Sequence, residues 1–256
     1  MAELVTTPTT PVVAVTDCPI FSGPRKAARL GSTLGIDLGS QDMALAVSRD
    51  NRMPRASVIV TTAARHMIRI SKAGEKIEAI AVYGSVSDPS LHPDFREITE
   101  NMRDLRNKWF AKAKLCLALD NPHLDEPALR RVLGLFDRVY LRMEWGSAKT
   151  FAALTGRKPA EYASLMAALS TAENLILQSR FVKGDGIDNT SEAEIKAWLK
   201  KVGELKPREV QLLRSEKGLG KKVKSVSKAK LAEIAEEVTA KVGVPATVYE
   251  AESILD

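Results

Sequence analysis

Short apolar, β-branched runs recur along the chain, separated by polar segments in which apolar residues return every three or four positions. Runs of this length and composition are typical of buried strands. Seven of them occur, at residues 33–38, 76–84, 114–120, 138–144, 174–182, 208–214 and 245–250. Because strands that alternate with helices form βαβ units, the pattern predicts an α/β fold with a mostly parallel sheet. About six units without an obvious linker favour an open barrel or a doubly wound sheet.

Three of the intervening segments have an amphipathic helical spacing. They are residues 94–110, 189–203 and 227–243. In the second segment, Thr190 or Ser191 followed by acidic residues forms a capping-box pattern, and we expect the helix to end at Gly203. Ser227 and Gly243 are the candidate N-cap and stop of the third helix.

The predicted sheet also indicates where to look for chemistry. Parallel α/β sheets carry their sites on the loops that follow the carboxyl ends of the strands. In this chain those loops begin near Gly39, Gly84, Asp120, Glu144, Phe181 and Arg214. We therefore expect any functional site at this rim.

Composition narrows the class of protein without naming a function. The 256 residues are 45% hydrophobic and 27% charged, which is an ordinary globular balance. No apolar run reaches the roughly 18 residues of a membrane span. The first 20 residues are rich in Thr, Pro and Val and lack the basic start of a secretory signal. We expect an extended arm over residues 1–20, one domain over residues 21–256, and a cytoplasmic location.

Four sequence stretches occur in an order that is more specific than any one of them. They are "FSGPRKAARLGSTLGIDL" (21–38), "IAVYGSVSDPSLHPDF" (80–95), the stretch from "LCLALDNPHLDEP" to "TFAALTGR" (115–157), and "LQSRFVKGDGIDNTSEAEI" (177–195). This series resembles the wyosine-synthase-like iron–sulfur oxidoreductases, a branch of the radical S-adenosylmethionine (SAM) superfamily. The resemblance covers about residues 20–250. It implies a partial (β/α)6 barrel of the TIM-like, radical SAM type.

The resemblance does not extend to the cofactor loop of that superfamily. Its members carry CxxxCxxC after the first strand, and three thiolates hold a 4Fe–4S cluster whose fourth iron binds SAM. Here the corresponding stretch is "GSQDMALAVSRDN" (39–51), and the chain's two cysteines, Cys18 and Cys116, lie elsewhere. We therefore expect no iron–sulfur cluster and no ordinary radical SAM catalysis. The apolar "MALAV" predicts packed structure there, such as an added strand.

The resemblance implies a set of rim residues that would bind SAM or another ligand. The GxGEP stretch of the family falls on Ser85, Ser87 and Asp88, its TNG asparagine on Asp120, and its SLDAG aspartate on Glu144. The fifth-strand ET pair falls on Gln178 and Ser179, followed by Arg180. These eight positions are polar but differ from the family's residues. Their drift is consistent with a site released from its old chemistry or adapted to another ligand.

Two functional hypotheses follow from the resemblance. The first is a repurposed or non-catalytic protein, a pseudoenzyme that acts as a binding protein or partner subunit. The second is a cluster-independent enzyme that binds SAM or a related molecule at the barrel rim. A related alternative is that a partner protein donates the cluster or the redox function.

Individual residues carry weaker signals. "GIDLG" around Asp37 also resembles the first phosphate loop of actin-like ATPases and the first strand of RNase H-like nucleases. A second phosphate loop and further acidic residues on a hairpin sheet are missing, so a strand-end Asp37 that caps backbone groups is the favoured interpretation.

The three histidines show no metal-ligand spacing. His92 precedes a proline, and we expect it to be a packing residue at a turn before a helix. His66 and His123 have no partner pattern.

A lysine-rich segment, "RSEKGLGKKVKSVSKAK" (214–230), follows the sixth strand of the expected barrel. The net charge of +6 permits a polyanionic partner. RNA is therefore a candidate partner, with the following lysines as its contacts: Lys217, Lys221, Lys222 and Lys224. The segment lacks aromatic residues for base stacking, which favours a solvated loop instead.

Overall fold

The computed structural model describes residues 20–39, 47–48, 51–124, 127–184, 186–214 and 222–250. Eight of its strands form one sheet: β1 Phe21–Ala27, β2 Gly31–Asp37, β3 Ala79–Tyr83, β4 Lys114–Leu119, β5 Arg138–Arg142, β6 Leu175–Ser179, β7 Glu209–Leu213 and β8 Ala246–Tyr249. Neighbours in the sheet follow chain order, and only β1 runs antiparallel to its neighbour. The α/β fold with a parallel sheet is therefore confirmed. Every predicted apolar run contributes a strand, so the sheet has seven parallel strands rather than six.

Strand β1, which the apolar pattern did not predict, pairs with β2 at the edge of the sheet. Gly23 and Pro24 interrupt the strand, and the pairing shifts register between Ser22 and Arg25. An edge strand tolerates proline because one of its sides makes no ladder. Gly23 has φ +96°, and a Cβ there would lie 2.5 Å from the Thr33 carbonyl oxygen, so glycine is required.

Seven helices lie within the described residues: α1 Ala56–Lys72, α2 Phe95–Trp109, α3 Pro127–Val132, α4 Ala148–Thr155, α5 Glu161–Leu169, α6 Glu192–Leu205 and α7 Lys228–Val242. Strand side chains alternate between the two faces of the sheet. On β3, Ile80 and Val82 join the main core together with helix residues, whereas Ala79 and Ala81 line a smaller cluster on the other face. None of these described helices is both long and apolar enough to cross a membrane.

The helix boundaries test the predicted caps. Both caps of α7 are confirmed, with a serine hydroxyl at its start and a left-handed glycine at its end. Ser191 caps α6 by accepting a hydrogen bond from the Glu194 amide. The predicted end at Gly203 is wrong, because the helix continues to its C-cap Lys206, which adopts the left-handed conformation. Gly203 stays helical and packs near Val242 on α7.

The sheet curls until its two edges approach each other through the β1–β2 turn. In this turn, Arg29 Nη1 donates to Gln211 Oε1 on β7 at 2.8 Å, and its guanidinium lies 5.3 Å from the centre of the Tyr249 ring on β8. Leu30 is buried beside it. The lumen cluster consists of Ala27, Leu30, Ala79, Ala81, Cys116, Tyr140 and Ile176. The turn thus packs inside the partial barrel.

Candidate functional site

Asp37 connects the first two loops at the carboxyl end of the barrel. Its Oδ1 accepts hydrogen bonds from the Gly39 amide at 2.9 Å and from the Ser85 amide at 3.0 Å. This confirms that Asp37 caps backbone groups at a strand end. Among the described residues, no group of three or more His, Cys, Asp or Glu side chains could hold a metal ion.

The stretch "GSQDMALAVSRDN" falls largely outside the described residues, which exclude 40–46 and 49–50. Of the remainder, Val47–Ser48 pairs antiparallel with Asn51–Pro54. The added strand expected at the end of "MALAV" is therefore found at Val47, while the other residues of that stretch lie outside the described residues.

The loop after β3 contains three of the predicted rim residues, and they occupy different environments. Ser85 is exposed and Ser87 is half-buried. Asp88 is 8% exposed, and its carboxylate accepts hydrogen bonds from the amides of Ser90, Asp120 and Asn121, each at 2.9 Å. Burial raises the pKa of Asp88, while these hydrogen bonds oppose the shift. Asp88 therefore holds the third-strand loop against the fourth-strand loop.

His92 follows the same loop and is buried. Its Nε2 lies 2.6 Å from the Pro54 carbonyl oxygen, and its Nδ1 accepts a hydrogen bond from the Asp94 amide at 3.0 Å. This arrangement requires a neutral ring with the proton on Nε2. The predicted packing role of His92 is confirmed.

Acid is expected to destabilise the protein through His92. Burial lowers the pKa of His92 below its ordinary value of 6.5. The unfolded chain therefore takes up the proton first, so this contribution to stability is complete above about pH 6.5 and is lost as the pH falls below it. Urea unfolding measured between about pH 7 and pH 5 should show the loss. His92→Gln should have a shallower pH slope; an unchanged slope would contradict this assignment.

A cleft of about 250 Å³ lies where β4, β5 and β6 end. Two ion pairs line it. Arg142 Nε lies 3.1 Å from Asp120 Oδ1, and the Asp120 side chain is 62% exposed. Arg180 pairs with Glu144 through its Nε, with both side chains at most 10% exposed. The structure thus brings together three predicted residues, Asp120, Glu144 and Arg180.

The same cleft includes residues that the sequence interpretation missed. They include Asn121, Arg142, Trp145 and Thr155. Asn121 Nδ2 donates to the Thr155 carbonyl oxygen at 3.3 Å, while its buried Oδ1 accepts no hydrogen bond from the described residues. Strand alternation could have identified Arg142, because it is the last residue of β5 and lies two positions before Glu144.

Gln178 and Ser179 do not line this cleft. Gln178 is 4% exposed, and its Nε2 donates to Gln211 Oε1 at 3.0 Å within the polar network of the lumen. Ser179 is completely buried, and its hydroxyl donates to the Met143 carbonyl oxygen at 2.6 Å. Both side chains therefore already have partners within the fold.

The loop after β5 is held by two buried polar residues of the following segment. Asn189 Nδ2 donates to the carbonyl oxygens of Glu144 and Arg180, at 2.7 and 2.8 Å. Glu194 accepts hydrogen bonds from the Gly146 and Ser147 amides, at 2.6 and 3.1 Å. These contacts fix the backbone from which the buried ion pair projects.

Comparison with known proteins adds to this geometry. No protein-family model and no curated protein matches the chain. Among solved structures, Streptococcus suis SuiB bound to S-adenosylmethionine is similar with a TM-score of 0.56 and 14% identity, over 75% of this chain and 44% of SuiB. Escherichia coli coproporphyrinogen III oxidase HemN, a radical SAM enzyme, is similar with a TM-score of 0.50 and 14% identity, over 77% of this chain and 47% of HemN. The chain has the radical SAM fold.

A third similar structure is a domain of pyruvate-formate lyase-activating enzyme from Bacteroides vulgatus. Its TM-score is 0.51 at 12% identity, over 67% of this chain and 99% of that domain. The match to SuiB, by contrast, spans less than half of SuiB's length. At these identities the likeness establishes the fold.

The cysteines of this chain do not fit the 4Fe–4S cluster that the radical SAM fold implies. Such a cluster requires several thiolate ligands, and the chain has two cysteines. Cys116 is completely buried on β4 within the lumen, and burial raises the pKa of its thiol to about 12. Cys18 lies outside the described residues. Cys116 is thus a protonated core residue.

Proposed function

We propose that this chain is a radical-SAM-like protein that works without a cluster of its own, as a binding protein or partner subunit. The observation that carries the proposal is the cysteine inventory. Two cysteines cannot supply three thiolates, and one of the two is a buried thiol on β4. Catalysis through a bound cluster would therefore need ligands that this chain does not contain.

The shape of the rim supports the same proposal. The cleft of about 250 Å³ is smaller than the roughly 300–1,000 Å³ of most small-molecule pockets. The β1–β2 turn occupies the lumen beneath it, where Leu30 is buried among the strands. Glu144 and Arg180 neutralise each other within the cleft. The space and the free charge for a ligand as large as SAM are therefore both reduced.

The second candidate function is a cluster-independent enzyme that binds SAM or a related small molecule at this cleft. The observation in its favour is a pair of oxygen acceptors, the exposed carboxylate of Asp120 and the buried Oδ1 of Asn121. An ammonium or amide group of a ligand would suit them. For an RNA substrate, Lys222 and Lys224 are exposed. Lys217 and Lys221 lie outside the described residues.

Calorimetric titration with SAM and with S-adenosylhomocysteine separates the two functions. The first proposal predicts no saturable heat with either compound. The opposite result would be saturable binding that Asp120→Ala weakens and the matched variant Asp94→Ala leaves unchanged. It would overturn the first proposal in favour of the enzyme. Asp94 is a suitable control because it lies at the start of α2 and makes no side-chain cap hydrogen bond there.

A further inference from the structure

A second and larger cavity lies at the opposite end of the barrel, where the strands begin. It has a volume of about 450 Å³ and lies beside the amino ends of β4 and β5 and the segments that lead into β6 and β7. The expectation that chemistry lies at the carboxyl ends of the strands gave no reason to look here. This amino-end cavity shares no residue with the rim cleft.

The charges of the amino-end cavity are unbalanced. Its ionisable lining residues are Lys114, Arg130, Arg138, Arg208, Asp137 and Glu173. Four cations thus face two carboxylates, and one of these already has a cationic partner outside the lining. Asp137 Oδ2 accepts hydrogen bonds from Arg106 Nη1 at 2.8 Å and from the Leu115 amide at 2.7 Å. Asp137 therefore already has a counter-charge of its own.

Three of these cations have no carboxylate at ion-pair distance among the described residues. Arg138 is half-buried, and its Nη1 lies 3.5 Å from the Tyr140 hydroxyl. Arg208 Nε donates to the Glu173 carbonyl oxygen at 3.1 Å, while Lys114 is exposed. The Tyr140 hydrogen bond raises the pKa of Arg138 and the Glu209 carboxylate adds to the shift, so the guanidinium stays protonated although it is half-buried. An anion entering the cavity would supply a direct ion-pair partner to these three cations.

Hydrogen bonds tie together the wall of the cavity. Asn174 is 7% exposed, and its Nδ2 donates to the carbonyl oxygens of Leu133 and Phe136, at 3.0 and 2.6 Å. These hydrogen bonds fix the turn that follows α3 against the start of β6. A preformed cavity loses less conformational entropy when it binds a ligand.

We propose that the amino-end cavity binds a small phosphate compound through Lys114, Arg138 and Arg208. Guanidinium groups offer paired donors that match phosphate oxygens. The volume of about 450 Å³ falls within the roughly 300–1,000 Å³ of small-molecule pockets. Phe136, the aromatic residue of the lining, is buried and offers no exposed face for a base. The site is therefore selective for the phosphate group, and a concave pocket suits a small molecule better than a nucleic-acid strand.

Calorimetry on the full chain with pyrophosphate as the probe tests this proposal at low ionic strength. We expect saturable binding that Lys114→Gln and Arg208→Gln each weaken by about tenfold or more. Both side chains are exposed, so these variants should fold, and circular dichroism verifies this. The matched control is Arg131→Gln, an exposed arginine next to Arg130 that does not line this cavity. It should retain the affinity of the original chain.

Three outcomes would overturn the proposal. The first is the absence of saturable pyrophosphate binding. The second is an equal loss of affinity in Arg131→Gln, or equally tight binding of sulfate, because either would indicate a general charge effect. The third is binding of a short single-stranded RNA that pyrophosphate does not displace. Displacement of a weakly bound RNA by pyrophosphate would instead support the small phosphate as the ligand.

Discussion

Replacing Glu144 with alanine is expected to lower the free energy of unfolding by about 3–5 kcal/mol, because the substitution removes one partner of a buried ion pair. Arg180 would keep its charge within the protein, where its side chain is 10% exposed, and would lose the Glu144 carboxylate. Urea denaturation at neutral pH measures the change. A loss below about 1 kcal/mol would contradict the account of the pair, since that is the range of exposed ion pairs.

Two further variants identify the cause of that loss. The double variant Glu144→Met with Arg180→Met removes both charges and should recover most of the lost stability, because a buried ion pair often contributes no more than apolar packing. The matched control is Asp120→Ala at the same rim. Its carboxylate is 62% exposed, so it should cost less than about 1 kcal/mol. A control as costly as Glu144→Ala would show that the effect does not depend on burial.

Asp88→Asn is expected to destabilise the protein by about 3 kcal/mol, because each buried group left without a hydrogen bond costs roughly 1–3 kcal/mol. The Asp88 carboxylate accepts from Ser90 on one oxygen and from the Asp120 and Asn121 amides on the other. Asparagine provides one acceptor oxygen, so its NH₂ group would face N–H donors on one side. Thermal and urea unfolding measure the loss.

Asp94→Asn is the matched control for Asp88, because Asp94 makes no side-chain cap hydrogen bond at the start of α2. Its effect should stay within about 0.5 kcal/mol. If Asp88→Asn proved equally harmless, the carboxylate would not connect the third- and fourth-strand loops as described.

Most of the fold could be predicted from the sequence because periodicity reports directly on burial. The seven apolar runs are strands, and the recurrence of Phe95, Ile98 and Met102 matches the buried face of α2. β1 could not be predicted in this way, because Gly23 and Pro24 have low strand propensity. Its position is determined by pairing with β2, which is a tertiary effect. The passage of α6 through Gly203 has a similar cause, since burial of its neighbours Val202 and Leu205 in the core outweighs the low helix propensity of glycine.

The candidate site was less predictable. Its location at the carboxyl ends of the strands and the residues Asp120, Glu144 and Arg180 came from the resemblance together with the rule for parallel sheets. The pairing of Glu144 with Arg180 could not be predicted from the sequence, because it depends on the register between β5 and β6. The amino-end cavity was missed for a different reason, since its basic residues are dispersed along the sequence and meet through the fold alone.

The central claim is that this chain works without an iron–sulfur cluster of its own. The most direct test is anaerobic reconstitution of the full chain with iron and sulfide, followed by an assay of both elements and an absorbance spectrum. The account predicts no stoichiometric 4Fe–4S cluster, because the chain has two cysteines and Cys116 is buried with its thiol protonated. The opposite result would be about four irons and four sulfides per chain, in the proportion of such a cluster, that are lost when Cys18 is replaced with alanine. That result would contradict the account.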